Sequence, residues 1–260
     1  MLLWGAAGAC AQEAGNPAPI LKISRELVAA GKQTAHADVA LERAQVFRAA
    51  HWPTPYIALR QVTGPGEVLF LTGYDSLASW GQDRAALDQN AVLRARLAAV
   101  SDRQDETLAQ HRMLSAEFSP DISYNAKYDW SRLRCLDMIQ IQLRPGHGDE
   151  YLDNRKIVVE THKRANVDEH LIIYRVSSGA PSTTFLIMRP VESFAGFDLE
   201  SLHGPRYMEI LGQTNRTRLH DLFAASVMSE EESFYCAEPS LSYVTERWAG
   251  ENKTFWLPEN

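Results

Sequence analysis

The sequence has few cysteines and no long apolar segment. Its 260 residues include three cysteines, none in the C-x-x-C spacing typical of metal or redox sites. No apolar run reaches the ~20 residues that span a bilayer. Lys and Arg total 26 against 33 Asp and Glu, a formal net charge of −7, whereas a nucleic-acid-binding protein needs a basic face. We therefore expect a globular chain that neither spans a membrane nor binds nucleic acid.

The common catalytic motifs are absent as well. The sequence contains no Walker loop, no G-x-G-x-x-G and no nucleophile elbow, which disfavours ATP hydrolysis, dinucleotide redox chemistry and α/β-hydrolase chemistry. Eight histidines are present, but no two stand in the H-x-x-x-H or H-E-x-x-H spacing that places two ligands on one helical turn. Sequence motifs alone thus predict neither a metal nor another cofactor.

The N-terminus resembles a secretion signal. Residues 1–11 are apolar and end in Ala9-Cys10-Ala11, which fits the small-residue site of a signal peptide. No Lys or Arg precedes the apolar run, so a disordered extension over residues 1–18 and a lipidated Cys10 remain alternatives. We expect export to the periplasm or the medium. Cys135 and Cys236 could then pair, provided that their Cα atoms lie within ~7 Å of each other.

The most informative feature is an internal repeat at an offset of about 115 residues. Residues of the same type recur at this offset in the same order: Gly31 and Gly146, Gly64 and Gly179, Arg60 and Arg175. The offset drifts to 117 and then 119 toward the end of each copy, as insertions in loops produce. We divide the chain into a first repeat at 19–125, a linker at 126–132, a second repeat at 133–248 and a tail at 249–260.

Each copy reads as β-α-β-β-α-β. The predicted strands are Ile20–Val28, Tyr56–Thr63, Val68–Tyr74, Met113–Phe118, Leu136–Leu143, Leu171–Ser177, Thr183–Arg189 and Ser233–Ala237. The predicted helices are Ala37–Ala50, Leu77 to about Gln110 with a break near Asn90 or Ser101, Asp149–Asn166, and one or more pieces between Phe194 and Val227. The acidic run Glu230–Glu232 is predicted as a solvated turn.

This element order defines the fold class as α+β, with tandem ferredoxin-like βαββαβ repeats. One such unit leaves a sheet face bare, and two units in one chain can cover each other. We therefore expect an intrachain barrel. Dimerisation is not required for folding, although exposed strand edges could still drive homo-oligomers.

The tandem pattern resembles the dimeric α/β barrel superfamily in its fused two-copy form, over about residues 19–245. That group includes small cofactor-free monooxygenases, NIPSNAP-type proteins, and the haem-binding chlorite dismutase and dye-decolourising peroxidase branches. The resemblance implies a pocket between the sheets or between sheet and helices. It also makes haem an alternative cofactor, for which His203 and His220 on the last helical region are available.

Candidate ligand-binding residues lie on the fifth predicted strand. Met138, Gln140 and Gln142 share the face that points between the sheets. Amides on an interior face indicate a lined cavity, unless this end of the strand is simply wet. Tyr174 and His170 near the next strand are further candidates.

Candidate catalytic residues are Arg60, Arg175 and His162. The two arginines occupy matching positions and could orient a carboxylate, a phenolate or dioxygen; alternatively each pairs with an acid, Glu67 being one option. His162 shares a helix face with apolar residues and could act as a buried base.

Three functions are compatible with these patterns. The first is an exported protein that binds a small molecule in a barrel pocket and could oxidise it as a cofactor-free oxygenase. The second is a haem enzyme, and the third is a non-enzymatic structural or interaction protein.

Overall fold

The computed structural model describes residues 15–181, 183–198 and 204–258. Eight strands carry the fold: Ile20–Val28 (β1), Ile57–Gln61 (β2), Glu67–Tyr74 (β3), Leu108–Phe118 (β4), Cys135–Leu143 (β5), Ile172–Ser178 (β6), Thr184–Val191 (β7) and Val227–Ala237 (β8). They form one closed barrel in the order β1-β3-β2-β8-β5-β7-β6-β4. All neighbouring strands are antiparallel. The predicted closure of the two sheets into a barrel is confirmed.

Helices pack on the outside of the barrel. They are Gln33–Ala49 (α1), Leu77–Gln89 (α2), Ala91–Asp105 (α3), Gly148–Ala165 (α4) and Pro205–Ser226 (α5). Two short helices, Glu246–Ala249 (α6) and Lys253–Trp256 (α7), pack instead against the residues that fill the lumen. The long predicted helix breaks at Asn90, whose side chain accepts a hydrogen bond from the amide of Leu93 and so begins α3. Ser76 caps α2 in the same way.

Strands β4 and β8 are each longer than the sequence pattern indicates. The prediction of a turn at Glu230–Glu232 is wrong, because these residues lie within β8. Residues 108–110, predicted as the end of a helix, belong to β4. Both added segments carry polar residues on both faces, so the apolar–polar alternation that marks a strand is absent there.

The lumen of the barrel is mostly filled by aliphatic side chains. Alternate residues of every strand point inward, and a single cluster of buried residues includes Ile23, Leu59, Leu69, Leu136 and Leu186. Two further apolar clusters fill the space between the barrel wall and the helices, one beneath α1 and α3 and one beneath α4 and α5. The barrel is therefore a packed core over most of its length.

One end of the barrel is closed by aromatic residues from the last part of the chain. Residues 249–258, expected as a tail, form short helices that pack on the lumen cluster. Trp256 has no exposed surface, and its indole N–H donates to the carbonyl of Ser131 at 2.6 Å. Ser131 lies four residues before the start of β5, so this contact fixes the C-terminal segment across the end of the barrel where β1 and β5 begin.

Cys135 and Cys236 form a disulfide between β5 and β8. The two residues are direct neighbours in the strand ladder, with their Cα atoms 4.0 Å apart. Cys10 and the apolar N-terminus lie outside the described residues. Among the residues that are described, no helix is long and apolar enough to cross a membrane.

Candidate functional site

The end of the barrel opposite the aromatic closure is open and polar. A cleft of about 180 Å³ lies there, at the end that carries the hairpin turns after β2 and β6. Six of the eight strands contribute to it. Its lining residues are Arg25, Leu27, Gln61, Pro65, Glu67, Gln110, Arg112, Gln140 and Glu231.

An ion pair forms the floor of this cleft. The guanidinium of Arg25 on β1 donates two hydrogen bonds of 2.8 Å to the two carboxylate oxygens of Glu67 on β3. Both side chains are 12% exposed. The third donor of Arg25 reaches the side-chain oxygen of Gln140 on β5 at 2.5 Å. A bidentate arginine–carboxylate pair of this kind has a fixed geometry, so the floor is preorganised.

Tyr235 completes the floor from β8. Its hydroxyl donates to Oε2 of Glu67 at 2.8 Å. Burial raises the pKa of Tyr235, and the neighbouring Glu67 carboxylate raises it further. Burial alone would lower the pKa of Arg25, but its hydrogen bond and charge contact with Glu67 outweigh burial and raise it. At neutral pH the floor therefore holds a protonated tyrosine and a charged arginine around one carboxylate.

Gln61 holds the hairpin turn that borders the cleft. Its side-chain oxygen accepts hydrogen bonds from the amides of Gly66 and Glu67, at 3.1 and 2.9 Å, and its amide nitrogen donates to Ser233. Gly64 in the same turn has a φ of +128°, and a Cβ there would lie 2.3 Å from the Gln61 side chain. The Gly-Pro-Gly turn is thus required by the way in which Gln61 positions Glu67.

Two charged side chains at the rim of the cleft have no ion-pair partner among the described residues. Arg112 on β4 contacts the side-chain amide of Gln110 at 3.0 Å, and Glu231 on β8 stands on the other side of the cleft. In the order of the barrel, β4 and β8 are four strands apart in either direction. Arg112 and Glu231 therefore face the cleft from opposite walls.

A second polar cluster is buried beneath α1 and α3. Glu26, 2% exposed, accepts hydrogen bonds from His36 at 2.8 Å, from Arg43 at 3.1 Å and from Gln104 at 2.5 Å. Burial would raise the pKa of Glu26, but the hydrogen bond from His36 and the charge of Arg43 lower it below its usual value. The guanidinium of Arg43 also lies 3.9 Å above the ring of Phe70. The cluster ties the two helices to the barrel wall.

A third cluster lies beneath α4 and α5. Arg189 is 3.0 Å from Asp137 and 3.3 Å from Glu169. Burial raises the pKa of Asp137 to about 7, the neighbouring Glu232 adds to the increase, and Arg189 opposes it. Arg189 links the two carboxyl groups in the wall of the barrel, but neither oxygen of Asp137 has a hydrogen-bond partner among the described residues. The cluster does not line the cleft at the open end of the barrel.

A wider depression of about 580 Å³ runs along α5. Side chains of that helix alone form it, including Thr214, Arg218 and Asp221. It is shallow and collects no buried polar group, so we place the candidate site at the open mouth of the barrel.

The structure does not bring the three predicted catalytic residues together. His162 is fully buried in α4, with Nδ1 2.8 Å from the carbonyl of Val158 and Nε2 3.2 Å from Glu169. Arg175 is exposed on β6. Arg60 donates to Glu238 at 2.6 Å and not to Glu67, the partner suggested from the sequence.

The predicted ligand-binding residues are divided between the two ends of the barrel. Gln140 lies in the cleft, and Gln142 follows it on the same face of β5, half-buried. Met138 is deep in the lumen core. Tyr174 lies toward the closed end, where its hydroxyl donates to the carbonyl of Ala18. His170 sits in a surface loop against Asn125.

Neither His162 nor His220 fits the role of a haem ligand. Both ring nitrogens of His162 are already engaged, and the ring lies between Tyr124 and Tyr207. His220 is 82% exposed and pairs with Asp221. His203 lies outside the described residues. No group of three metal-ligating side chains occurs in the part of the chain that is described.

Sequence reasoning missed most residues of the cleft. Arg25, Arg112 and Tyr235 were not predicted, and Glu67 was considered only as a partner for an arginine, although a signal for Arg25 was present. Arg25 interrupts the inward-facing apolar positions of β1 and stands at the repeat offset from Gln140. Polar residues at matching inward positions of two strands indicate that the lumen is polar at that level.

Comparison with known proteins supports the assignment of the fold but does not indicate a particular function. No protein-family model and no curated protein matches the sequence. Similar solved structures include a monooxygenase candidate from Lactobacillus acidophilus NCFM, with 9% identity, a TM-score of 0.53, and coverage of 87% of this chain and 96% of that one. An anthrone oxidase-like protein has 11% identity, a TM-score of 0.57, and coverage of 84% and 91%.

A mutant chlorite dismutase from Candidatus Nitrospira defluvii has 8% identity, a TM-score of 0.50, and coverage of 90% and 97%. At such low identity these likenesses establish the fold alone. The chain has the dimeric α/β barrel type of fold, as the resemblance of its sequence predicted.

Proposed function

We propose that this protein binds a small zwitterionic molecule, one that carries a carboxylate and an amine, in the open mouth of its barrel. The observation that carries the proposal is the pair formed by Arg112 and Glu231. These opposite charges face the cleft from opposite walls. Neither forms a salt bridge with another described residue, although the charge of Glu231 also acts on Arg25 in the floor. A carboxylate would bind at Arg112 and an ammonium group at Glu231.

The size of the cleft limits the ligand. Its volume of about 180 Å³ corresponds to about six water molecules at ~30 Å³ each, and it is smaller than the ~300–1,000 Å³ typical of pockets for drug-sized ligands. The amide of Gln140 offers a further hydrogen bond to the bound molecule. We therefore expect a ligand of about ten non-hydrogen atoms or fewer, in the class of small amino acids.

Binding is better supported at this site than oxygenation. A cofactor-free oxygenase needs a proton acceptor beside its substrate. The buried carboxylate of Glu67 already accepts two hydrogen bonds from Arg25 and one from Tyr235. The hydroxyl of Tyr235 stays protonated. The floor of the cleft therefore positions a ligand, and the remaining carboxylate of the cleft, Glu231 at the rim, would be engaged by the ammonium group of that ligand. His162 and His220 give the binding of haem no support.

The proposal includes the origin of the fold by internal duplication. The strands follow the order β4-β1-β3-β2 in one half of the barrel and β8-β5-β7-β6 in the other. The second order is the first with each strand replaced by its equivalent in the repeat. This correspondence supports two tandem ferredoxin-like units. The two units together form one barrel, and both contribute strands to each of its ends.

Export is the second part of the proposal. The Cys135–Cys236 disulfide supports it, because disulfides persist in oxidising compartments and are rare in the cytosol. In an exported protein, the polar open end of the barrel would be exposed to small solutes of the surrounding medium. The signal-like segment itself lies outside the described residues.

Isothermal titration calorimetry with a series of ω-amino acids tests the binding function. Glycine, β-alanine, 4-aminobutyrate and 5-aminovalerate place the two charges at increasing separation, and acetate and methylamine each carry one charge alone. We expect one length of the series to bind most tightly, and each half-ligand to bind at least ~10-fold more weakly, because each forfeits one charge-assisted contact.

Variants locate the binding. Arg112→Gln and Glu231→Gln should each weaken the tightest ligand at least ~10-fold. Arg175→Gln removes the same charge from an exposed position on β6 and should leave affinity unchanged. The proposal fails if no member of the series binds, or if Arg112→Gln binds as well as the wild-type protein.

A further inference from the structure

Two strand segments of the barrel have a hydrogen-bonded neighbour on one side only. The ladder between β4 and β6 covers Ser115–Phe118, and the ladder between β2 and β8 covers Tyr235–Ala237. Within residues 109–113 of β4 the cross-strand partners all lie in β1, and within residues 228–232 of β8 they all lie in β5. Ala109 and Met228 stand at shifts in register and have no cross-strand partner in these ladders. All ten residues are exposed. We call these segments the β4 edge and the β8 edge.

The free backbone groups of the two edges can be assigned from the ladder. The amide of Phe118 donates to Pro19 at the start of β1. Because the direction alternates along an antiparallel strand, the N–H and C=O of His111 point away from β1. On β8 the amide of Ala237 donates to Arg134, so the backbone groups of Glu230 point away from β5. His111 and Glu230 are thus equivalent positions at the centres of the two edges.

The two edges carry opposite charge. The β4 edge holds His111 and Arg112, whereas the β8 edge holds Glu230–Glu232. Pairing of two β8 edges would place glutamates opposite one another, and like charges on neighbouring strands are destabilising. A β4 edge against a β8 edge places opposite charges together.

One antiparallel register of the two edges also brings their exposed apolar side chains together. If His111 lies opposite Glu230, Ala109 lies opposite Glu232 and Met113 lies opposite Met228. Met113 is 41% exposed and Met228 is 49% exposed, which places both among the few large apolar side chains at the surface. In this register the two methionine side chains come together at the end of the β4 edge, where the turn after β6 begins and Gly179 lies against the carbonyl of Met113.

We infer that copies of this chain associate head to tail, with the β4 edge of one copy adding as a strand to the β8 edge of the next. Each copy has one edge of either kind, so the contact is heterologous. Such a contact repeats until it closes a ring or extends as an open chain. The main-chain hydrogen bonds supply the affinity, and the charges select the partner edge.

Analytical ultracentrifugation over a range of concentrations, with two proline variants, tests this assembly. His111→Pro and Glu230→Pro each remove an N–H that points outward, which edge strands tolerate. We expect the wild-type protein to form species larger than dimers. Each variant alone should be monomeric, and an equimolar mixture should give a heterodimer and nothing larger, because only one compatible pair of edges remains.

Charge variants keep the test valid if a proline variant does not fold. His111→Glu and Glu230→Arg should each shift the association at least ~10-fold toward monomer, whereas the double variant, with its charges exchanged, should recover it. His220→Glu on α5 and Glu160→Arg on α4 make the same charge changes elsewhere and should assemble as the wild type does.

Three results would overturn the inference. They are a wild-type protein that is monomeric at every concentration, a Glu230→Pro variant that still self-associates, or a mixture of the proline variants that remains monomeric. None of these variants alters Arg112 or Glu231, so ligand binding in the cleft should persist in the monomeric variants. Failure of the assembly and failure of the binding function are therefore distinguishable.

Discussion

Replacement of Trp256 by alanine should destabilise the whole barrel. The indole is fully buried and makes edge-to-face contacts with Trp248 and Phe255 at centroid distances of 5.1 and 5.0 Å. Truncation of a buried Trp or Phe costs ~3–5 kcal/mol. The change also removes the hydrogen bond to Ser131, worth ~1 kcal/mol, which places the expected loss in the free energy of unfolding in the upper part of that range, at about 4–5 kcal/mol.

Urea unfolding monitored by circular dichroism measures this loss, and a thermal scan should show a decrease in Tm of ~8–20 °C. Trp256→Phe keeps the ring contacts and removes the N–H donor, so it should cost about 1–2 kcal/mol. Val92→Ala, at a side chain 69% exposed, should change stability by less than ~0.5 kcal/mol. A Trp256→Ala protein as stable as the wild type would refute the view that the C-terminal segment closes the barrel.

Three further sets of substitutions should change the free energy of unfolding, which urea unfolding measures in each case. Serine at both Cys135 and Cys236 should cost ~2–4 kcal/mol, because the disulfide restrains the unfolded chain. Glu26→Gln leaves the mostly buried charge of Arg43 without its partner and should cost ~3 kcal/mol at pH 7; since the folded pKa of Glu26 is lowered, this cost should shrink as the pH falls below ~4. The effect of Asp137→Asn on the free energy of unfolding should change with pH in the opposite direction. The folded pKa of Asp137 is raised to about 7, so wild-type stability falls between pH ~4 and 7, and the variant should gain on it across that range.

Each of these has a clear contrary result. The disulfide argument fails if reduction of the wild-type protein leaves its urea midpoint unchanged. A Glu26→Gln cost that is constant from pH 3 to pH 7 would contradict the lowered pKa. An Asp137→Asn variant that loses ground to the wild type as the pH rises would contradict the raised one.

The fold followed from the sequence because it depends on local signals and on one repeated pattern. Three kinds of local signal can be recognised in one sequence without an alignment. They are the glycines at the ends of strands, the helix caps at Ser76 and Asn90, and the aliphatic residues at the inward-facing positions of each strand. The sequence did not predict the outer parts of β4 and β8 as strands. Their residues are polar on both faces, because one face lines a wet mouth and the other is open to solvent, so no period of two was visible there.

The site was less predictable because it depends on which strands become neighbours. Arg25 and Glu67 are 42 residues apart, and Tyr235 is 168 residues from Glu67; no spacing along the chain indicates that they meet. Gln140 was predicted because its strand alternates clearly. Arg60 and Arg175 match within the repeat, yet they occupy the outward positions of their strands. A one-residue difference in register separates a lumen group from a surface group.

Nuclear magnetic resonance of the arginine side chains tests the central claim most directly. The protein, labelled with nitrogen-15, would be titrated with the ω-amino acid that binds most tightly, while the Nε–Hε signals are followed. We predict saturable shifts at Arg112 and Arg25, with Arg60 and Arg175 unmoved. Shifts confined to Arg60 or Arg175, with the two cleft arginines unchanged, would contradict a binding site in the open mouth of the barrel.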